Sequence, residues 1–184
     1  MSRTLFPDAV ITGEVLEHLR LPDVERYELV EGKIEALTPT SQFHAEATVR
    51  IAAVLLAKTP GWRILGGDPG VYTRRQPDTV RGPDVVALSP ERNAQVDPRR
   101  AFLTVVPDLV VEIISPSNED EDIARKTNEY VAGGGVVWVV NLDDATLAVH
   151  DRAGATVHRA DDVVILPNGA EVAVDSLVRG DARR

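Results

Sequence analysis

Residues 107–116, Pro-Asp-Leu-Val-Val-Glu-Ile-Ile-Ser-Pro, are an apolar run with one carboxylate in the middle. The run is short, β-branched and bounded by prolines, which is the pattern of a strand buried on both faces. On the two-residue period of a strand, Leu109, Val111 and Ile113 share one face, and Val110, Glu112 and Ile114 share the other. Glu112 therefore points into the same layer as two branched aliphatic residues. An ionised carboxylate there is costly unless it is paired, hydrogen-bonded or bound to a metal. A chain with this strand has to bring a cation or a set of donors to it.

A second short strand, Val85-Val86-Ala87-Leu88, follows Gly82-Pro83 and carries Asp84 at its mouth. Downstream, residues 119–132 have helical spacing, with Ile123, Thr127, Tyr130 and Val131 on one face. Lys126 lies on the border of that face, while Arg125 is turned ~100° away at ~3.6 residues per turn. Position thus favours Lys126 as the inward cation. An Asp and a Glu on strands, with a lysine nearby, can hold a divalent cation and orient a water. The structural alternative is that Asp84 and Glu112 are satisfied by a buried Arg or by backbone amides.

The remaining pattern alternates helices and strands. A short opening helix is expected over 12–19, stopped by Leu21-Pro22-Asp23, and then a hairpin over 26–37 turning at Glu31-Gly32. Ser41 is placed to cap a helix from Phe43 to Lys58, which Pro60-Gly61 ends. Residues 63–73 and 80–88 read as antiparallel strands joined through Gln76-Pro77-Asp78, followed by a polar loop over 89–106. Asn118 and Glu121 form a capping-box pair for the 119–132 helix, and Gly133-Gly134-Gly135 stops it. Strands are expected at 136–140, 146–151 and 155–159; the tail (163–166, then 172–178) is less regular. This is an α/β order, with one core for the whole of 1–184.

Several segments together resemble the bacterial putative restriction endonuclease family of the PD-(D/E)xK nuclease superfamily. They are Arg26–Ile34, His44 opening a helix, Thr79–Val85, Pro107–Ser117, Lys126–Tyr130 and Val136–Val140. The resemblance spans roughly residues 20 to 150 and is specific in combination rather than piece by piece. It implies a restriction-endonuclease-like fold, a central mixed β-sheet flanked by helices. It also implies a nuclease in which Asp84 and Glu112, with the Ile113 carbonyl, hold Mg²⁺ (or Mn²⁺) and Lys126 assists. An acidic residue from the N-terminal region or the long helix completes the metal shell in such proteins; Glu31 and Glu46 are the options, with Glu31 preferred. His44 is an accessory candidate. The common superfamily motif has its lysine two residues after the glutamate, where this chain has Ile114; the closer family takes its lysine from the following helix. Nucleic acid, DNA first, is the implied partner, and a homodimer suits the cutting of two strands.

Composition narrows the alternatives. No cysteine is present, which removes disulfides and thiolate chemistry. No run approaches ~18 apolar residues and no signal-peptide core is evident, so a soluble cytoplasmic protein without membrane partners is expected. The net charge of −9 argues against coating DNA by bulk electrostatics. Residues 61–110 nevertheless carry seven basic groups, all Arg, against six acidic ones. Arg74, Arg75 and Arg81 lie near Asp84 in sequence and are the candidate phosphate contacts, arginine being the better phosphate fork. Glu28, Glu31 and Glu35 read mainly as solvated hairpin residues, and His150 and His158 as structural. No glycine-rich phosphate loop or nucleophile-elbow serine competes with this reading. The alternative function is a nuclease-fold binding module without cleavage.

Overall fold

In the computed structural model, residues 3–20, 26–114 and 120–179 are described. The chain begins with β1 (Arg3–Leu5), α1 (Gly13–His18) and the hairpin β2 (Tyr27–Val30) and β3 (Lys33–Ala36), followed by the long helix α2 (Gln42–Lys58). Four short strands come next: β4 (Arg63–Gly66), β5 (Val71–Arg74), β6 (Thr79–Arg81) and β7 (Val85–Leu88). After the turn of helix α3 (Pro90–Asn93) come β8 (Leu109–Ile114), α4 (Asp120–Ala132), β9 (Val136–Asn141), β10 (Thr146–Asp151) and β11 (Gly154–Arg159). The small hairpin β12 (Val163–Ile165) and β13 (Glu171–Ala173) and helix α5 (Asp175–Val178) complete the order. The expected capping box at Asn118, the Ser115-Pro116-Ser117 turn and the Leu21-Pro22-Asp23 stop lie outside the described residues.

A six-stranded sheet, in the order β11-β10-β9-β8-β7-β4, forms the centre. Only β8 and β9 run parallel in it, with α4 as their crossover; every other pair is antiparallel. A five-stranded antiparallel sheet, β1-β3-β2-β6-β5, adjoins it. The alternation read in β8 appears as two packed layers. Leu109, Val111 and Ile113 join Ala47, Ile51 and Leu55 of α2 on one face. Val110 joins Val86, Val137 and Tyr130 of α4 on the other.

Local signals account for the boundaries. Ser41 accepts a hydrogen bond from the His44 amide at 3.2 Å and caps α2. Glu31 and Gly32 both take positive φ, 48° and 77°, which suits a two-residue hairpin turn. Gly134 takes φ 89° just beyond α4, where a side chain would be strained.

One expectation changes in detail. The antiparallel strands foreseen over 63–73 and 80–88 are each broken in two. Arg63–Gly66 pairs with Val85–Leu88 in the central sheet, and Val71–Arg74 pairs with Thr79–Arg81 in the other. The breaks fall at Gly67-Asp68-Pro69-Gly70 and Gly82-Pro83-Asp84, where glycine and proline interrupt a ladder. A two-stranded ribbon therefore crosses from one sheet to the other, and Asp84 stands at the crossing.

Ile51 is fully buried between α2 and the central sheet. Ile51→Ala is expected to cost about 2–5 kcal/mol, the range for emptying a packed aliphatic site; chemical denaturation would measure it.

Candidate active site

The antiparallel register of β7 and β8 pairs Val85 with Val111 and Val86 with Val110. Continued by one step, it sets Asp84 opposite Glu112. Directly opposed residues on neighbouring strands are separated by ~5 Å between Cβ atoms, so the strand alignment itself gathers the two carboxylates.

Asp84 is buried and fully engaged. One carboxylate oxygen accepts from the Ile113 amide at 2.7 Å, and the other lies 3.1 Å from Nε2 of His44. His44 reaches it because it stands on the same helical stripe as Ala47, Ile51 and Leu55, one turn earlier. The backbone-amide satisfaction weighed for Asp84 is thus present, with a histidine added.

Glu112 lies under α4, where the Tyr130 hydroxyl donates to it at 3.2 Å. Burial pushes its carboxyl up to about 8, reinforced by the charges of Asp84 and Glu28 and opposed by Lys126 and the Tyr130 hydrogen bond. Tyr130, also buried, is itself shifted well above its ordinary value.

Lys126 is turned inward and buried, whereas Arg125 is half exposed and bound to Asp122 at 2.7 Å. The Lys126 ammonium sits 2.9 Å from Glu28 and 3.5 Å from Asp122. Burial opposes its charge, but Glu112, Glu28 and Asp122 outweigh burial and raise its pKa.

Glu28 is the residue that sequence reading missed. It is 2% exposed and accepts from Arg81 at 3.0 Å, the Gly82 amide at 3.1 Å and Lys126. The hairpin alternation gave no warning, because Glu28 stands between Tyr27 and Leu29 in a strand that reads as one-sided. The nearest signal was its place on a strand whose other charged residue, Glu31, lies in the turn.

Three expectations resolve differently. Arg81, taken as a phosphate contact, is fully buried and bound to Glu28 and Glu129, so it is not presented to a ligand. Glu31 projects from the β2–β3 turn, largely exposed, and pairs with Arg74 rather than joining Asp84 and Glu112. Glu46 is half exposed and pairs with Arg50. Arg74 and Arg75 do stand on the surface near the β5–β6 turn, Arg75 stacked 3.5 Å over the Tyr72 ring.

Among the described residues, no group of three or more Asp, Glu or His side chains is gathered closely enough to hold a metal ion. The carboxylates expected to take a cation are those of Asp84 and Glu112. The donor set suits a hard cation, since carboxylate and carbonyl oxygens are the ligands Mg²⁺ takes. Among the described residues, no helix is long and apolar enough to cross a membrane.

A mixed sheet with helices on both faces and acidic residues at adjoining strand ends defines a restriction-endonuclease-like α/β fold. A crystal structure described as a putative nuclease belonging to DUF820, from Anabaena variabilis ATCC 29413, superposes with a TM-score of 0.77 at 18% identity, covering 91% of this chain and 97% of that one. Residues 15–181 match the profile of the family Uma2, described as "Putative restriction endonuclease", and the chain belongs to that family. No curated protein matches.

The raised Glu112 pKa has a consequence for stability. Between about 4.5, its ordinary value, and about 8, the folded chain holds a proton here that the unfolded chain has released. Stability from this group is therefore complete below that range and declines as pH rises through it. In EDTA, Glu112→Gln is expected to remove this decline, so its stability relative to wild type improves steadily from pH 5 to 8. Parallel urea titrations across that range would measure the difference.

Proposed function

We propose that the protein is a divalent-metal-dependent nuclease hydrolysing phosphodiester bonds of DNA. The observation that supports this most is the β7–β8 register, which sets Asp84 against Glu112 while α4 turns the Lys126 ammonium into the same buried region. Asp84, Glu112 and the Ile113 carbonyl would hold Mg²⁺ or Mn²⁺. Such an ion polarises a phosphate and lowers the pKa of a bound water. The chain's own residues have distinct roles. His44 and the Ile113 amide fix the Asp84 carboxylate. Tyr130 orients Glu112, which gives up its proton when a cation takes the proton's place. Lys126 steadies negative charge that develops on the phosphate in the transition state. Arg74 and Arg75, at the exposed end of the β5–β6 hairpin, are the candidate backbone contacts.

A second reading, a binding module that does not cleave, is favoured by one observation: among the described residues no group of three acidic or histidine side chains is arranged to hold a metal ion.

The deciding experiment incubates supercoiled, linear and single-stranded DNA with Mg²⁺ or Mn²⁺ against EDTA. Metal-dependent cutting is expected, falling by about 10²–10³-fold in Asp84→Ala and Glu112→Ala, the scale seen when a transition-state electrostatic contact is removed. Lys126→Met is expected to lower kcat with KM little changed. Absence of cutting on every substrate, together with no heat of metal binding in calorimetry, would leave the binding module.

A further inference from the structure

Arg81 is among the largest fully buried side chains of the protein and the hub of its buried charges. It stands on β6, in the five-stranded sheet, yet its guanidinium forks onto both oxygens of Glu129 of α4 at 2.8 and 2.7 Å. A third nitrogen donates to Glu28 of β2 at 3.0 Å, and Asp122 lies 3.8 Å away. Burial opposes the guanidinium charge, but Glu129 and Glu28 outweigh it, so Arg81 stays charged. Thr73 of β5 completes the cluster by donating to Glu129 at 2.8 Å.

The geometry around Lys126 gives this hub a purpose. Glu129 lies three positions beyond Lys126 on α4, which makes the two side chains neighbours on the helix surface. Left alone, Glu129 is a carboxylate within reach of the lysine and would draw it along the helix. Arg81 occupies both of its oxygens. It also occupies one oxygen of Glu28, leaving the other to be shared by Lys126 and the Gly82 amide.

We propose that Arg81 is a positioning residue for Lys126. By holding Glu129 and one side of Glu28, it confines the lysine ammonium to the other Glu28 oxygen and Asp122, beside Glu112. The same contacts tie α4 to the sheet that carries β6, and so fix the helix against the strand end bearing Asp84. The kinetic consequence rests on the nuclease reading; the placement of Lys126 does not.

The chain has three lysines, Lys33, Lys58 and Lys126, so ¹³C-lysine labelling gives a spectrum in which Lys126 is followed individually. In Arg81→Met the Lys126 εCH₂ signal is expected to move while those of Lys33 and Lys58 stay. Cleavage should show kcat reduced on the order of 10²-fold, the scale of an ångström-sized misplacement, with KM within about twofold. Adding Glu129→Gln removes the competing carboxylate. The double variant should return the Lys126 signal toward its wild-type position and recover part of kcat, which loss of a purely structural contact would not do. Should Arg81→Met fail to fold, Arg81→Gln serves, since it keeps a buried hydrogen-bond donor without adding a labelled lysine but cannot serve Glu28 and Glu129 together. A folded Arg81 variant with an unmoved Lys126 signal overturns the proposal, as does a double variant whose signal stays displaced. Wild type that never cuts DNA, with Lys126 displaced in the variants, overturns the nuclease reading and leaves the positioning role standing.

Discussion

Glu112 lies in the middle layer of the protein, and desolvation of its carboxylate is the constraint to which its surroundings answer. Burial favours the protonated acid, the nearby charges of Asp84 and Glu28 favour it further, and Lys126 and Tyr130 pull the other way. None of these groups is placed independently of the others. Lys126 is inward because Glu28 and Asp122 receive it, and Glu28 is buried because Arg81 and the Gly82 amide receive it. Arg81 is buried because Glu129 closes the set from α4. Taking two charges out of water costs several kcal/mol per ion before their attraction offsets it, and apolar packing of equal volume often does as well. A cluster of this kind is thus an expensive way to fill a core, and it coincides with the place where Asp84 and Glu112 meet.

The parts of this arrangement that periodicity controls were legible in the chain. Two-residue alternation put Glu112 with Val110 under α4, and helical spacing turned Lys126 inward and Arg125 outward. Ser41, the Glu31-Gly32 turn and Gly133–Gly135 marked element ends by local chemistry. The residues misread share one physical trait. Arg81 and Glu28 are charged, and a charged residue on a short strand reads as solvated unless its partner is known; their partners lie 48 and 53 positions away in sequence. Glu28 reads as solvated alongside Glu31 and Glu35 with nothing local to separate them, although Glu31 sits in the turn and Glu28 in the pleat. Nor does alternation reveal that a strand changes sheets halfway, which is decided by the packing on either side of Gly67–Gly70 and Gly82–Asp84.

Family membership and fold agree on the architecture, while the site departs from the common superfamily spacing in a way the fold makes intelligible. A lysine two residues after Glu112 would share its strand face. Ile114 occupies that place, and the ammonium arrives instead from the helix lying over that face. On the nuclease reading proposed above, the direction of approach is kept although the sequence position is not. Its cost is that the lysine now depends on the helix being held in register, a dependence that a strand-borne lysine, fixed by its own ladder, does not have.

The ribbon that crosses between the sheets leaves main-chain groups without strand partners where it turns. The β7–β8 ladder ends at Val85 and Val111, and the next amide on the β7 edge of β8, that of Ile113, is taken by the Asp84 carboxylate; the Gly82 amide is taken by Glu28. Acidic side chains stand in for the missing strand. The gap in the ladder and the gathering of carboxylates are therefore one event. A sequence that healed the break by running its hydrogen bonds straight through would gain a tidier sheet, and lose the unpaired amides that fix both acids in place.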